Sequence, residues 1–201
     1  AESLASWGFT VITPALCHSA LWDTDHAQNA VDLQQLTDSL GFSRIIYAGH
    51  SAGGLASLLA GREDANTIGV IGLDLTDADN EGLSAASGLT APFFGLYGES
   101  SDCNADNNGI DVGLSTQTAH LIRVTEADHC DFENETDWLC TTFCPSSNNT
   151  FSDEEIQQTV SSLFIAAAHA VAGLDDAQIH WWTNGGTYYD MLSSNGAISG
   201  L

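Results

Sequence analysis

Short apolar runs alternate with helical patterns along most of the chain, and this alternation limits the possible folds more than any other feature. The runs are bounded by turn residues and are too short to cross a membrane, as is typical of buried strands. Strands separated by helices form parallel sheets, because each connection must cross a face of the sheet. We therefore predict an α/β fold, a mostly parallel sheet with helices on both faces, in a single domain over residues 1–201. The predicted strands are residues 9–13, 44–48, 67–73, 92–97 and 120–124.

Helical spacing of apolar residues predicts helices over residues 27–40 and 52–60. The last long helix has the clearest boundaries. Ser152 and Glu155 form a capping box at its start, and Gly173 follows its last apolar residue. Two segments lack a regular pattern and are predicted to be irregular, residues 140–149 and the aromatic tail 180–201.

The charge of the chain excludes two classes of partner. There are 27 acidic residues against 3 basic ones, which gives a formal net charge of −24. Such a surface repels nucleic acids and anionic membranes, so we expect neither as a partner. A strongly acidic surface suits salty surroundings, where ions screen its self-repulsion, and we interpret the protein as halophilic.

Cysteine usage indicates an oxidising compartment. Four of the five cysteines lie in the second half, around loops, without the paired spacing of a metal site. This favours disulfides and a secreted or periplasmic protein, with one cysteine left over. The cysteines are Cys17, Cys103, Cys130, Cys140 and Cys144.

The pattern G-x-S-x-G at residues 49–53 lies between a predicted strand and a predicted helix. A serine at such a sharp turn has an exposed hydroxyl, and small neighbours are needed because the chain passes close to itself. Gly49 and Gly53 supply that room, and Ser51 is the predicted nucleophile. The helix N-terminus favours developing negative charge, so the Ala52 amide is the predicted oxyanion donor.

A serine nucleophile requires a histidine base and an acid that orients it. His129 follows the fifth predicted strand and is the predicted base. His50 adjoins the serine and cannot easily fold back onto the same hydroxyl, so we assign it to substrate binding together with His18 and Trp22. Position alone leaves several acids open, and they are Asp74, Asp77, Asp79, Glu99 and Asp102.

Four segments resemble the chlorophyllase and dienelactone hydrolase branch of the α/β-hydrolases, which includes secreted polyester hydrolases related to cutinases. They are residues 4–9 (LASWGF), 49–54 (GHSAGG), 72–74 (GLD) and 129–133 (HCDFE). The resemblance implies an α/β-hydrolase fold and a Ser-His-Asp triad. It makes Asp74 the acid of that triad, with Asp102 as the second choice.

The resemblance also implies strands and a loop ahead of the segment at residues 4–9. That loop supplies a second oxyanion amide in the family. The given sequence begins at this segment, so the expected protein is a minimal or N-terminally shortened form. A backbone amide near His18 or Ser19 is the expected substitute.

These observations predict a serine-type carboxylic ester hydrolase that acts on short-chain or polymeric esters, without a cofactor or metal. The alternative is a non-catalytic remnant of such an enzyme that still binds a ligand. A third interpretation, calcium binding at residues 102–111, lacks the glycine and glutamate of an EF-hand loop. We favour a polar loop held by a Cys103 disulfide there.

Overall fold

The computed structural model describes residues 1–20, 23–133, 140, 142, 144 and 150–201. Its strands are β1 (Ser19–Ala20), β2 (Asp23–Thr24), β3 (Ile45–His50), β4 (Thr67–Leu73), β5 (Phe93–Tyr97), β6 (Ala119–Val124) and β7 (Ile198–Gly200). Its helices are α1 (Glu2–Ser6), α2 (His26–Leu40), α3 (Ala52–Glu63), α4 (Glu81–Ala86), α5 (Gly109–Leu114), α6 (Asp153–Ala172) and α7 (Thr187–Ser194). Short 3₁₀ turns lie at Asp102–Asn107, His129–Phe132 and Asp176–Trp181.

One sheet organises the molecule, with its strands in the order β3-β4-β5-β6-β7. The first four strands are parallel, and β7 pairs antiparallel with β6. Strands β1 and β2 form a separate antiparallel pair. The carboxyl ends of the four parallel strands therefore meet at one edge of the sheet, where α/β proteins commonly bind ligands.

Apolar helices cover both faces of the sheet, as the sequence predicted. Side chains of β5 alternate between the two faces, with Phe93 packed among residues of α3 and α4 and Phe94 among residues of α6. All five residues of β5 are buried, because this strand lies at the centre of the sheet. The fold class is therefore α/β with a mostly parallel sheet.

Four of the five predicted strands are confirmed, with small shifts of their ends, but the strand predicted at residues 9–13 is wrong. Residues 9–16 form neither strand nor helix. A β-prone sequence becomes a strand only when it pairs with another strand. This segment instead lines a cavity of about 490 Å³ together with residues of β3, α2 and α6. Phe9 packs edge-on against the His169 ring, with 5.4 Å between the ring centroids.

The tail predicted to be irregular is also different in the structure, since it contains α7 and β7. A three-residue strand is too short to show a periodic pattern, which explains why β7 was not predicted. The tail is anchored by Trp182, which is 4 % exposed and donates from Nε1 to the Leu163 carbonyl at 3.0 Å. Trp182 also packs edge-on against Phe94 and is a core residue.

Two disulfides join the second half of the chain, as expected from the cysteine pattern. They link Cys103 to Cys144 and Cys130 to Cys140, and Cys17 is exposed without a disulfide. In the part of the chain that the structure describes, no helix has both the length and the apolar character needed to span a bilayer.

Candidate active site

Ser51 occupies a sharp turn between β3 and α3. Its backbone has φ 53° and ψ −125°, a conformation that side-chain-bearing residues rarely adopt and that costs about 1–3 kcal/mol. Two contacts hold the turn. The Ser51 amide donates to the Leu73 carbonyl at 2.9 Å, and the Ser51 carbonyl accepts from the Gly54 amide at 2.9 Å. The surrounding sheet and helix therefore hold the strained serine at the carboxyl end of β3.

The glycines around Ser51 do not all have the role predicted for them. A β-carbon at Gly49 would overlap the Gly53 carbonyl, so Gly49 is required for the turn. A β-carbon at Gly53 would meet no atom within 4 Å. The second close approach is at Gly54, where an added β-carbon would lie 3.0 Å from the Gly49 carbonyl oxygen. Gly49 and Gly54, rather than Gly49 and Gly53, let the helix pass close to the strand.

The amide of Ala52, the predicted oxyanion donor, lies at the start of α3. Ala52 is the first residue of α3, and its N–H makes no hydrogen bond to any described residue. The first amides of a helix lack partners within it and carry the positive end of the helix dipole. This amide belongs to the residue that follows Ser51 in the sequence.

Asp74 and His129 form a buried pair at the same edge of the sheet. Asp74 Oδ2 lies 2.6 Å from His129 Nδ1. Asp74 is completely buried and His129 is 8 % exposed. With Nδ1 turned to the carboxylate, the other ring nitrogen, Nε2, is left for a substrate or nucleophile.

Two further donors hold the Asp74 side chain. The Gly98 amide donates to Oδ1 at 3.0 Å, and Asn104 Nδ2 donates to Oδ2 at 3.1 Å. The backbone amide of Gly98 and the carboxamide nitrogen of Asn104 can only donate, so both oxygens of Asp74 act as acceptors. An ionised Asp74 is only an acceptor, and His129 then donates to it through its Nδ1–H.

The other acids that the sequence left open are engaged elsewhere or exposed. Asp77 caps α4 by accepting from the amides of Gly82 and Leu83 at 2.7 and 3.0 Å. Glu99 lies 3.4 Å from Arg123 Nη1 and accepts from a backbone amide. Asp79 and Asp102 are exposed. The structure therefore brings Asp74, and none of the other four, to His129.

A 3₁₀ turn carries His129, and two neighbouring carboxyl groups cap it. Asp128 accepts from the amides of Cys130 and Asp131 at 2.7 and 3.2 Å, and Asp131 accepts from the Asp128 amide at 2.9 Å. Burial raises the pKa of Asp131 to about 6. Burial likewise raises the pKa of Asp128. The capped turn and the Cys130–Cys140 disulfide restrict the backbone that carries the base.

His50 packs directly against the His129 ring, with 4.4 Å between the centroids. Its other neighbours are Phe132, on which it stacks, and Glu133, whose carboxylate lies 3.5 Å from His50 Nδ1. Burial, followed by the nearby His129, lowers the pKa of His50 to about 4. His50 is therefore neutral at pH 7, so its contact with Glu133 is not an ion pair there.

The Ser51 hydroxyl makes no hydrogen bond to His129, although both are described residues. Of the two contacts that the predicted triad needs, the structure therefore contains the one between His129 and Asp74 and lacks the one between His129 and Ser51. Catalytic hydrogen bonds are often long without substrate and shorten when it binds.

The other predicted substrate residues remain predictions. Trp22 lies outside the described residues. The backbone of His18 is anchored to α2, because its amide and carbonyl bond to the Asn29 side chain at 3.1 and 2.8 Å. These bonds hold the loop that contains the proposed second oxyanion amide, but they do not place that amide at Ser51.

The loop considered for calcium has its asparagines turned inward. Asn104 is fully buried, and its Oδ1 accepts from the amides of Ser101 and Asn107 at 2.9 and 3.2 Å. The Cys103–Cys144 disulfide holds the loop, as the favoured interpretation expected. Within the described ranges, one group of three potential metal ligands was found, and its sulfurs belong to the two disulfides.

Two residues that contact Asp74 were not identified from the sequence. Gly98 acts through its backbone amide, which leaves no signal in the sequence. Asn104 lay in a polar stretch whose oxygens suggested a cation, whereas the structure uses its amide nitrogen toward Asp74.

Compared with known proteins, the chain matches no protein-family model and no curated protein. The function is therefore inferred from the geometry around Ser51.

Proposed function

We propose that this protein is a serine-type carboxylic ester hydrolase that forms an acyl-enzyme on Ser51. The observation that carries the proposal is the buried hydrogen bond between Asp74 and His129. It lies at the carboxyl ends of the parallel strands, where the strained Ser51 follows β3. A serine with a strained backbone, a helix amide beside it and an acid-oriented imidazole are the parts that acyl transfer needs.

In the first half of the reaction, Ser51 Oγ attacks the ester carbonyl carbon while His129 Nε2 takes the hydroxyl proton. The carbonyl oxygen becomes an oxyanion, which the Ala52 amide stabilises. The tetrahedral intermediate then collapses and breaks the bond to the alcohol oxygen. His129 returns its proton to that oxygen, so the alcohol leaves neutral and the acyl group remains on Ser51.

In the second half, water attacks the acyl-enzyme and His129 takes one of its protons. Collapse of the second intermediate releases the carboxylic acid, and the proton returns to Ser51 Oγ. Asp74 holds the imidazole by its Nδ1–H and stabilises the imidazolium that forms in both halves. None of these reaction steps requires a cofactor.

The proposed substrates are short-chain esters or an ester polymer. In many hydrolases with long lipid substrates, an apolar lid covers the site; here the segment between β4 and β5 carries only the six-residue helix α4. Asp77 accepts from two amides in the first turn of that helix, and its own backbone bonds to the Asn108 side chain. A site without a large cover admits small soluble esters or a chain that extends beyond it.

The proposed setting is outside the cytoplasm, in a secreted or periplasmic protein that tolerates salt. Two disulfides support an oxidising compartment, and the net charge of −24 supports a salty one.

The experiment that tests the function is hydrolysis of p-nitrophenyl butyrate by the wild-type chain and by Ser51→Ala, in moderate salt. We expect turnover by the wild type and none above background by the variant. Thermal unfolding of both proteins verifies that the substitution leaves the fold intact. Equal rates in the two proteins would contradict the proposal.

The second candidate, a ligand-binding protein without activity, is favoured by one observation, the open contact between Ser51 and His129. A fluorophosphonate probe separates the two functions, because only an activated serine reacts with it. Labelling of the wild type but not of Ser51→Ala supports the hydrolase. A folded wild type that neither turns over nor labels supports the binding protein.

A further inference from the structure

We propose that Asn104 is a positioning residue that fixes the Asp74 carboxylate toward His129. The proposal rests on the proposed hydrolase function and deepens it, because it adds a residue that acts on the base through the acid.

The side chain of Asn104 is fully buried and makes four hydrogen bonds. Nδ2 donates to Asp74 Oδ2 at 3.1 Å and to the Glu99 carbonyl at 2.8 Å. Oδ1 accepts from the Ser101 and Asn107 amides at 2.9 and 3.2 Å. Each of its two hydrogens has an acceptor and its oxygen has two donors, so the amide cannot rotate without losing several buried bonds.

The oxygen that Asn104 contacts is the one that faces the base. Asp74 Oδ2 lies 2.6 Å from His129 Nδ1 and 3.1 Å from Asn104 Nδ2, whereas the Gly98 amide contacts Oδ1. Bonds to both oxygens determine the rotation of the carboxylate plane. Without Asn104, Oδ2 would keep only the bond to His129, and the carboxylate could turn away from it.

The backbone around Asn104 is strained in a way that brings its side chain inward. The three residues that follow have φ values of 48°, 54° and 61°, in the left-handed region that non-glycine residues avoid. The Cys103–Cys144 disulfide anchors the preceding residue. Strained backbone persists when the surrounding structure over-determines it, and it concentrates at functional sites.

The test compares Asn104→Ala with Asn108→Ala. Asn108 is a matched control from the same loop, since its side chain makes two 2.8 Å bonds to the Asp77 backbone and does not touch Asp74. Both variants lose bonds that hold the loop, and only Asn104→Ala loses the donor to the acid.

We expect kcat of Asn104→Ala on p-nitrophenyl butyrate to fall about tenfold to a hundredfold, because hydrogen bonds to charged groups are the strong ones. KM should change little, since Asn104 does not reach the substrate. The acid limb of the kcat profile should move to lower pH, because a carboxylate that can turn away from Nδ1 stabilises the imidazolium of His129 less. Asn108→Ala should keep the wild-type kcat and pH limb.

A second variant protects the test against misfolding. Asn104→Asp keeps an oxygen for the Ser101 and Asn107 amides but replaces the donor to Asp74 with an acceptor. All rates are normalised to the sites that a fluorophosphonate labels, and unfolding curves establish that each protein is folded. Asn104→Asp should also lower kcat while Asn108→Ala does not.

The results separate this inference from the function itself. An active wild type with unchanged kcat and pH limb in a folded Asn104→Ala or Asn104→Asp overturns the positioning role alone. An equal loss of kcat in Asn108→Ala also overturns it, because the effect then comes from the loop. A folded wild type that neither turns over nor labels would overturn the hydrolase proposal.

Discussion

Asp74 and His129 are separated by 55 positions in the chain, yet Asp74 Oδ2 and His129 Nδ1 lie 2.6 Å apart. Asp74 directly follows β4, and His129 lies beyond the end of β6. Strand β5 lies between these strands, so the contact bridges the carboxyl end of the sheet above β5. The acid therefore comes from the strand next to the one that carries Ser51.

This geometry predicts that Asp74 is essential for turnover and Asp102 is not. We expect Asp74→Asn to lower kcat by about 10⁴-fold, because the asparagine amide stabilises the wrong tautomer of the imidazole. Asp102→Asn is the control, since Asp102 is exposed on the neighbouring loop. Steady-state hydrolysis of p-nitrophenyl butyrate by both variants measures the difference. A large loss of kcat in Asp102→Asn with an active Asp74→Asn would reverse the assignment.

Only part of the fold and of the candidate site could be predicted from the sequence. The four parallel strands were found because buried strands are continuous apolar runs, and the sharp turn at Ser51 was predictable because it requires a glycine at position 49. Position alone left the acid open, because choosing it requires knowing which strand ends are neighbours, and only the family resemblance favoured Asp74. The hydrophobic pattern describes one segment by itself, whereas strand pairing depends on which segment lies beside it. The strand predicted at residues 9–13 was wrong for this reason.

His50 makes stability depend on pH. Its folded pKa of about 4 is below the unfolded value of 6.5, so the unfolded chain takes up the proton first as the pH falls. The stability that His50 contributes is complete above pH 6.5 and is lost between pH 6.5 and 4, by about 3 kcal/mol. In His50→Phe this part of the pH dependence should be absent. Urea denaturation of both proteins at pH 7 and pH 4 measures it, and identical pH dependence would contradict the burial of an ionisable group at His50.

Asp131 makes stability depend on pH in the opposite direction to His50, over nearly the same pH range. Its folded pKa of about 6 is above the unfolded value of 3.8, so the folded state holds its proton longer and stability falls as the pH rises from 3.8 to 6. Asp131→Asn keeps an oxygen for the Asp128 amide and has no charge to bury. Relative to the wild type, this variant should gain about 3 kcal/mol between pH 3.5 and pH 8. Denaturation curves at those two pH values test the gain, and a variant that is less stable at pH 8 would show that the charge is needed.

The Cys103–Cys144 disulfide should contribute strongly to stability. It closes a separation of 41 residues, for which the chain-entropy model gives about 4 kcal/mol. The double variant Cys103→Ser/Cys144→Ser should lose that amount in chemical denaturation. Cys17→Ser is the control, because Cys17 is exposed and forms no disulfide. Equal denaturation midpoints for the double variant and the wild type would show that the bond does not stabilise the fold.

Replacing the two glycines of the G-x-S-x-G pattern by alanine should have opposite effects on stability. A β-carbon at Gly49 would overlap the Gly53 carbonyl, and backbone on both sides prevents either from moving away. Gly49→Ala should therefore fail to fold or unfold at a much lower temperature. Gly53 lies in the first turn of α3 with open space where a β-carbon would stand. Since alanine favours helix over glycine, Gly53→Ala should keep the fold and gain about 0.5 kcal/mol.

Thermal unfolding of the two alanine variants beside the wild type decides this prediction. A stable Gly49→Ala would mean that the strand and helix do not pass as closely as the structure shows. A strongly destabilised Gly53→Ala would mean that the helix begins differently, with its second residue packed against a neighbour. The expected difference between the two variants would show that the steric requirement of this turn lies at Gly49 and Gly54. The sequence pattern G-x-S-x-G instead names Gly49 and Gly53.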